Sequence, residues 1–217
     1  MISQFVKNIY FSTFIKLSIF SFWWHKFFVG NKYHNAWLNL GCGKKYAKGM
    51  VNIDGNIFRK KDIWLDLNLG LSFPDHSIEG IYISHTLEHF KVKQVRKILG
   101  ECYRVLKLGG AMRIVVPSLE YAIKAWNKKA VDKLGEWPHK FNSVGGRFNN
   151  FMLCENQHFL MFDFSFLREL LSEAGFIDVI YSSAHRSQKF SFICLQYECD
   201  NDSVSDSSLY IECSKPK

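Results

Sequence analysis

Two glycines bracket a cysteine at Gly41-Cys42-Gly43, directly after the apolar run Trp37–Leu40. Bare backbone there can turn sharply and approach a ligand with no Cβ in the way. A tight structural turn has the same appearance, so the pattern alone decides nothing. An aspartate closes each of the next two apolar runs, Asp54 after Met50–Ile53 and Asp66 after Ile63–Leu65. A carboxylate in the first place suits both hydroxyls of a ribose, and one in the second suits the amino protons of adenine. Taken singly, either aspartate reads as a helix cap or a surface charge. Three such features at three successive run ends point to a nucleoside site.

Histidines supply the second chemistry. His85 follows the next apolar run, Ile78–Ile83, and a neutral imidazole there suits removal of a proton near neutral pH. His158, within the aromatic stretch His158–Asp163, is a second candidate for closing over a reacting group, a satisfied loop histidine being the alternative. His85-Thr86-Leu87-Glu88-His89 also fits the H-x-x-E-H pattern of some zinc hydrolases. On a helix, His85 and His89 would share a face. No distinctive third ligand follows downstream, and the five residues sit where a strand ends. The expectation is therefore packing or capping by Glu88 and His89, and no metal.

The elements that must hold these residues alternate. Short apolar runs at 37–40, 50–53, 63–65 and 78–83 read as buried strands. From Lys91 the period changes: Val92, Val95, Ile98, Leu99, Cys102, Val105 and Leu106 recur at three- and four-residue steps, which predicts an amphipathic helix closed at Gly109-Gly110. Met112–Val116 reads as a strand halted by Pro117, and Ser118 as the cap of a helix from Leu119 to about Leu134. Residues 135–162, with Gly145-Gly146 and many aromatics, show little periodicity and read as a long loop. A helix over 164–174 closes at Gly175, and Phe176–Tyr181 is a sixth strand. The last strand is open between Phe190–Tyr197 and Leu209–Cys213. Strands alternating with helices predict a doubly wound, mostly parallel α/β sheet, whose ligand sites lie beyond the carboxyl ends of the strands.

With these residues placed, the chain resembles the class I S-adenosylmethionine-dependent methyltransferases. The resemblance rests on Leu38–Gly43 (LNLGCG), Val51–Asp54 (VNID), Asp66–Phe90 with its LSFPDHSIEGIYISHTLEHF, Glu101–Pro117 (ECYRVLKLGGAMRIVVP), and Leu167–Phe176 (LRELLSEAGF). It is nearest to the type 11-like proteins associated with cell-surface polysaccharide synthesis, and covers about residues 36–182, with SLYIECSKPK resembling the last strand. It implies a seven-stranded Rossmann-like sheet with helices on both faces and S-adenosyl-L-methionine as cofactor. Leu40, Gly41 and Gly43 would meet the methionine end, Asp54 the ribose, Asp66 and the Leu67 backbone the adenine, and Ser84 the amino-acid moiety. Two features depart from the pattern: Asn39 stands where many class I enzymes have an acid, and Lys44–Gly49 is too short for a crossover helix.

The implied domain is 34–217, with 135–162 as an acceptor-side insertion, preceded by an aromatic and basic arm at 1–33. From Gln4 to Val29 there is no acid, and Lys7, Lys16 and Lys26 recur among Phe, Ile, Leu and Trp. Bulky Phe22-Trp23-Trp24 argues against a signal-peptide cleavage site, and Lys16 interrupts a span. The arm reads either as an anchor on an anionic membrane surface or as a helical arm packed on the domain. In 217 residues the six cysteines make no CxxC pair, so reduced thiols in a cytoplasmic protein, either free or membrane-associated, are expected. The net charge of +8 comes without a long Lys/Arg run, so nucleic acid is an unlikely partner. No Asp/Asn-Pro-Pro-Tyr segment or Pro-Cys pair follows the fourth strand, which argues against amide, adenine-amino and cytosine C5 chemistry.

The leading expectation is methyl transfer to an oxygen, less likely a nitrogen, of a small-molecule or glycan- or lipid-linked acceptor. The alternative is a non-catalytic cofactor-binding partner docking at a membrane or enzyme complex. A nucleic-acid methyltransferase comes third.

Overall fold

A computed structural model describes residues 17–190, 198 and 207–217. Seven strands form one sheet: β1 Trp37–Leu40, β2 Val51–Asp54, β3 Ile63–Trp64, β4 Ile78–Ser84, β5 Leu106–Pro117, β6 Ile177–Tyr181 and β7 Ser208–Ser214. Their spatial order is β3-β2-β1-β4-β5-β7-β6, parallel from β3 through β5, with β7 antiparallel to both neighbours. The chain order reverses between β1 and β4. At such a switch point the loops after the two strands splay to opposite sides and leave a crevice.

Among the described residues, four helices follow the first strands in sequence: α1 Val92–Val105, α2 Leu119–Asn127, α3 Val144–Leu153 and α4 Phe164–Glu173. Helix α1 buries Val95, Ile98, Leu99, Cys102 and Val105, the stripe that its sequence period predicts. It lies beside α4, while α2 packs against α3. The central strands are largely buried, with Leu38, Leu40, Ile81, Ile83, Met112 and Ile114 fully enclosed, as strands covered on both faces must be.

Three expectations change. The helix ending at Val105 does not run on to Gly109-Gly110, because Leu106 already adopts extended backbone and opens β5. Gly109, at φ +75°, lies within that strand. Helix α2 stops at Asn127, well short of Leu134, because Lys129 turns left-handed at φ +51° and a 3-10 turn follows over Val131–Leu134. The supposed loop 135–162 contains α3, started by the Ser143 hydroxyl, which accepts from the Gly146 N–H at 3.1 Å.

The last strand is Leu209–Cys213 with one residue added at each end; most of the rival segment, 191–197, lies outside the described residues. No helix among the described residues is long and apolar enough to cross a membrane. Residues 1–16 of the expected arm lie outside the description. Residues 17–24 are helical, and turns follow over His25–Val29 and Gly30–Tyr33. Phe22 and Tyr33 pack on the core, whereas Phe20, Trp24, Phe27 and Phe28 are exposed.

Candidate active site

The crevice at the strand switch is a cleft of about 680 Å3, within the range of roughly 300–1,000 Å3 common for small-molecule sites. One wall is the glycine turn after β1. Gly41 and Gly43 both have positive φ, +67° and +53°. At Gly41 the close neighbour is Thr86: an added Cβ would lie 2.3 Å from its Oγ1. Thr86 is in turn held by the Ser84 carbonyl, to which its hydroxyl donates at 2.9 Å. At Gly43 the nearest atom to an added Cβ is the Gly41 carbonyl oxygen, 3.9 Å away, so that side is open.

Asp54 fixes this turn from the end of β2. Its Oδ2 accepts from the Gly43 N–H at 2.7 Å and its Oδ1 from the Asn56 N–H at 2.6 Å. A carboxylate offers about four lone-pair positions, so each oxygen retains acceptor capacity for a ligand. Asp66 lies at the far end of the same cleft. Its Oδ1 accepts from both the backbone and the side-chain nitrogen of Asn68, each at 3.0 Å. Its Oδ2 has no hydrogen-bond partner among the described residues. Asn68 accepts from Gln94 at 2.7 Å, and Gln94 receives the Lys91 N–H at 2.9 Å, which ties the Asp66 turn to the first turn of α1.

The short β1–β2 crossover has no helix, as its length requires. Two asparagines hold it instead. Asn39 donates to the Lys45 carbonyl and to Asn52, each at 3.0 Å, and Asn52 donates to the carbonyls of Ala47 and Met50, each at 2.9 Å. Asn39, standing where an acid is usual, is thus a loop anchor. Burial first, and then the charge of Asp54, push the Cys42 thiol up to about 12, so it is no nucleophile near neutral pH.

Of the residues expected at the site, Gly41, Gly43, Asp54, Asp66, Leu67 and His85 line this one cleft. Leu40 and Ser84 do not: the Leu40 side chain is fully buried in the core, and Ser84 ends β4 opposite Val115, its carbonyl accepting from Thr86. His85 takes up φ +48° directly after β4, its Nε2 3.3 Å from the Ser208 hydroxyl and its Nδ1 3.5 Å from Glu88.

His158 is not a cleft residue. Its ring packs edge-on against His89, with centroids 5.0 Å apart, and its Nδ1 lies 3.0 Å from the Met152 carbonyl. Burial holds its imidazole below the ordinary value, against the pull of the Glu88 charge. His85 and His89 share no helix face, because Leu87–His89 is a single 3-10 turn.

Several lining residues carry no sequence signal. Thr86 and Gln94 line the cleft without a pattern that announces them, and His89, which the H-x-x-E-H pattern singles out as a packing or capping residue, lines it too. Asn156, Gln157 and Phe159 arrive through three consecutive left-handed residues, Cys154 to Asn156, after which the Phe159 N–H donates to the Glu88 carbonyl at 2.7 Å. Only this end of the 135–162 segment reaches the cleft; α3 packs instead on α2.

A family model described as a methyltransferase domain matches residues 46–114, about a third of the chain. No curated protein sequence matches. Among solved structures, a SAM-dependent methyltransferase from Archaeoglobus fulgidus superposes with a TM-score of 0.55 at 15% identity, over 96% of this chain and 99% of that one. A possible histamine N-methyltransferase from Thermotoga maritima gives 0.51 at 14% identity, over 98% and 96%. The phosphoethanolamine N-methyltransferase 2 of Haemonchus contortus, solved with S-adenosyl-L-methionine, gives 0.50 at 13% identity over 85% of this chain, which spans about half of that enzyme (49%). At such identities the likeness is one of fold. The domain match over residues 46–114 and these superpositions show a likeness to methyltransferases in part of the sequence and in fold.

Proposed function

We propose that this chain moves a methyl group from S-adenosylmethionine to an oxygen of a small-molecule or glycan- or lipid-linked acceptor. The observation that carries this reading is the convergence of Gly41, Gly43, Asp54, Asp66 and His85 on one cleft at the strand switch. The cofactor supplies a methyl group on a positively charged sulfur. The chain's own residues bind and orient: the open face of Gly43 admits the ligand close to backbone, Asp54 accepts from the ribose hydroxyls, and the free Oδ2 of Asp66 accepts an amino proton of adenine. Transfer of this kind is an in-line displacement, so alignment in a cleft supplies much of its rate.

An acceptor hydroxyl must also lose its proton. We assign this to His85, on the loop beside Gly41, whose imidazole lies between Ser208 and Glu88. Phe159, more than half exposed at the rim, offers an apolar surface for the acceptor. The polysaccharide-associated pattern of the sequence motifs favours a sugar hydroxyl as the oxygen. Exposed Phe20, Trp24, Phe27 and Phe28, with Lys26 over the Trp23 ring at 5.2 Å, favour contact with an anionic membrane surface where a lipid-linked acceptor resides.

Calorimetry with S-adenosylhomocysteine tests the cofactor roles. Losing a charged acceptor of two hydroxyls in Asp54→Ala is expected to weaken binding by at least about tenfold. Unaltered affinity would remove Asp54 from the ribose. Mass spectrometry of surface glycans and lipids from a deletion strain identifies the acceptor by its missing methyl group.

A further inference from the structure

Glu88 is 1% exposed, and neither of its carboxylate oxygens has a hydrogen-bond partner. No other charged side chain among the described residues is buried in that way. The imidazole of His85 stands 3.5 Å from Oε1, outside good hydrogen-bond geometry. Buried carboxylates in folded proteins are commonly paired, hydrogen-bonded or bound to a metal, so the two unpartnered oxygens of Glu88 are candidate ligands for a cation.

Two imidazoles adjoin it. The Nδ1 atoms of His89 and His158 lie 2.9 Å from the Gln157 carbonyl and 3.0 Å from the Met152 carbonyl. A carbonyl only accepts, so each Nδ1 carries a proton, and Nε2 is the nitrogen that offers a lone pair in the neutral ring. Neither Nε2 has a partner among the described residues. This is the arrangement by which metal-binding histidines are oriented, with the second ring nitrogen donating to a carbonyl. One ligand atom from each of Glu88, His89 and His158 lies within 4.8 Å of the others. An ion with bonds of about 2.0–2.1 Å would draw the set inward by side-chain rotation. The backbone brace is present as well: the Phe159 N–H donates to the Glu88 carbonyl and holds the segment carrying His158 against the turn carrying Glu88 and His89.

We propose that Glu88, His89 and His158 bind a first-row divalent transition-metal ion at the mouth of the cofactor cleft. Two neutral imidazoles and one carboxylate suit zinc, manganese or cobalt rather than calcium or magnesium, which prefer oxygen ligands throughout. Three protein ligands leave coordination positions open, and His89 itself lines the cleft. Those positions would be open to the hydroxyl oxygen of the methyl acceptor, which a bound ion would polarise; this last role, unlike the ion site itself, rests on the methyltransferase reading.

The test uses the untagged full chain, stripped with a chelator and titrated separately with Zn2+, Mn2+ and Co2+ by calorimetry. One ion per chain is expected, with affinity falling at least about tenfold in Glu88→Gln and in His158→Ala. Thermal melting guards against variants that merely fold badly. Ion at a hundredfold excess over its Kd should raise the wild-type Tm by about 5–10 °C and leave Glu88→Gln unmoved. Metal-free Glu88→Gln should melt no lower than wild type, since it removes an unpartnered buried charge. No stoichiometric binding of any of the three ions, or binding indifferent to both substitutions, overturns the site. S-adenosylhomocysteine titrated into the metal-free protein separates the two readings. Nucleoside binding without ion binding removes the metal site alone; ion binding without nucleoside binding supports the site and removes the acceptor role.

Discussion

Thr86 stands so close over Gly41 that no side chain fits between them: an added Cβ would lie 2.3 Å from Oγ1 and 2.5 Å from Cγ2. This contact joins the loop after β1 to the loop after β4, the two edges of the crevice. Gly41 is therefore required twice, by its φ of +67° and by the hydroxyl above it. Gly41→Ala is expected to cost about 2–4 kcal/mol, combining left-handed strain with overpacking, read by urea denaturation. Adding Thr86→Ser to that variant should recover part of the loss, because it removes Cγ2 and leaves φ unchanged. Full stability in Gly41→Ala alone would mean that the turn does not hold this geometry.

Gly43 makes the contrasting case. Its φ of +53° carries strain, yet an added Cβ would meet nothing nearer than 3.9 Å. Gly43→Ala should cost about 1–2 kcal/mol of stability, while weakening S-adenosylhomocysteine binding by more than tenfold, because the methyl group enters space that the ligand needs. Equal effects of the two glycine substitutions on affinity per folded molecule would contradict the open face assigned to Gly43.

Asp66 should select the base. If its free Oδ2 accepts the adenine amino proton, a 6-oxo analogue, S-inosylhomocysteine, lacks the donor and sets oxygen against oxygen. Wild type is expected to prefer the adenine form by about tenfold or more, and Asp66→Asn to lose most of that preference. Competition calorimetry reads the ratio directly, and an unchanged ratio in the variant would place the base elsewhere.

The sheet and most of the cleft were legible because they depend on local pattern. Apolar runs of three or four residues ending in Gly or Asp located β1 to β3, and the same ends carry Gly41, Asp54 and Asp66. What was missed depends on tertiary structure. Helix α3 holds Gly145-Gly146 and Asn149-Asn150, poor helix formers. It stands on its Ser143 cap and on buried Arg147, which donates to the carbonyls of Gly135 and Phe141 and to Glu136. The β5 start hides inside a helical period, since Leu106 is buried whether helix or strand. His89 pairs with His158, 69 residues away, rather than with His85 four residues before it, and no spacing rule announces that.

Acid sensitivity should show at Glu101. Its Oε2 accepts from the Leu71 N–H at 2.7 Å and it pairs with Arg104 at 2.8 Å, fixing the segment that follows the Asp66 turn. Burial works to raise its carboxyl, but Arg104 and the Leu71 N–H outweigh it and hold the group below its ordinary value. The folded form therefore binds its proton at lower pH than the unfolded chain. The stabilisation is complete above about pH 4.5 and is lost as pH falls through the lower folded value. Glu101→Gln should cost about 1 kcal/mol at neutral pH and flatten the acid limb of stability against pH. An acid limb of unchanged slope would count against this residue.

Arg113 lies in the middle of β5 with its side chain fully buried, and is bonded on every nitrogen. Nε and Nη2 meet both oxygens of Glu198 at 2.6 and 3.0 Å, and Nη1 meets Glu212 of β7 at 2.6 Å. Ser182 and the carbonyls of Ser183 and Arg186 complete the set at 2.8, 2.7 and 3.1 Å. The guanidinium thus joins β5, β7 and the turn after β6 at a distance in the fold from the glycine turn. Arg113→Met strands two buried carboxylates and is expected to cost about 3–5 kcal/mol. Replacing Glu198 and Glu212 by Gln in that variant should restore much of the loss, since the burial cost resides in the charges. Because none of the three residues lines the cofactor cleft, affinity for S-adenosylhomocysteine per folded molecule should stay within about twofold. A loss of affinity matching the loss of stability would show that the far edge of the sheet and the cleft are coupled, contrary to this separation.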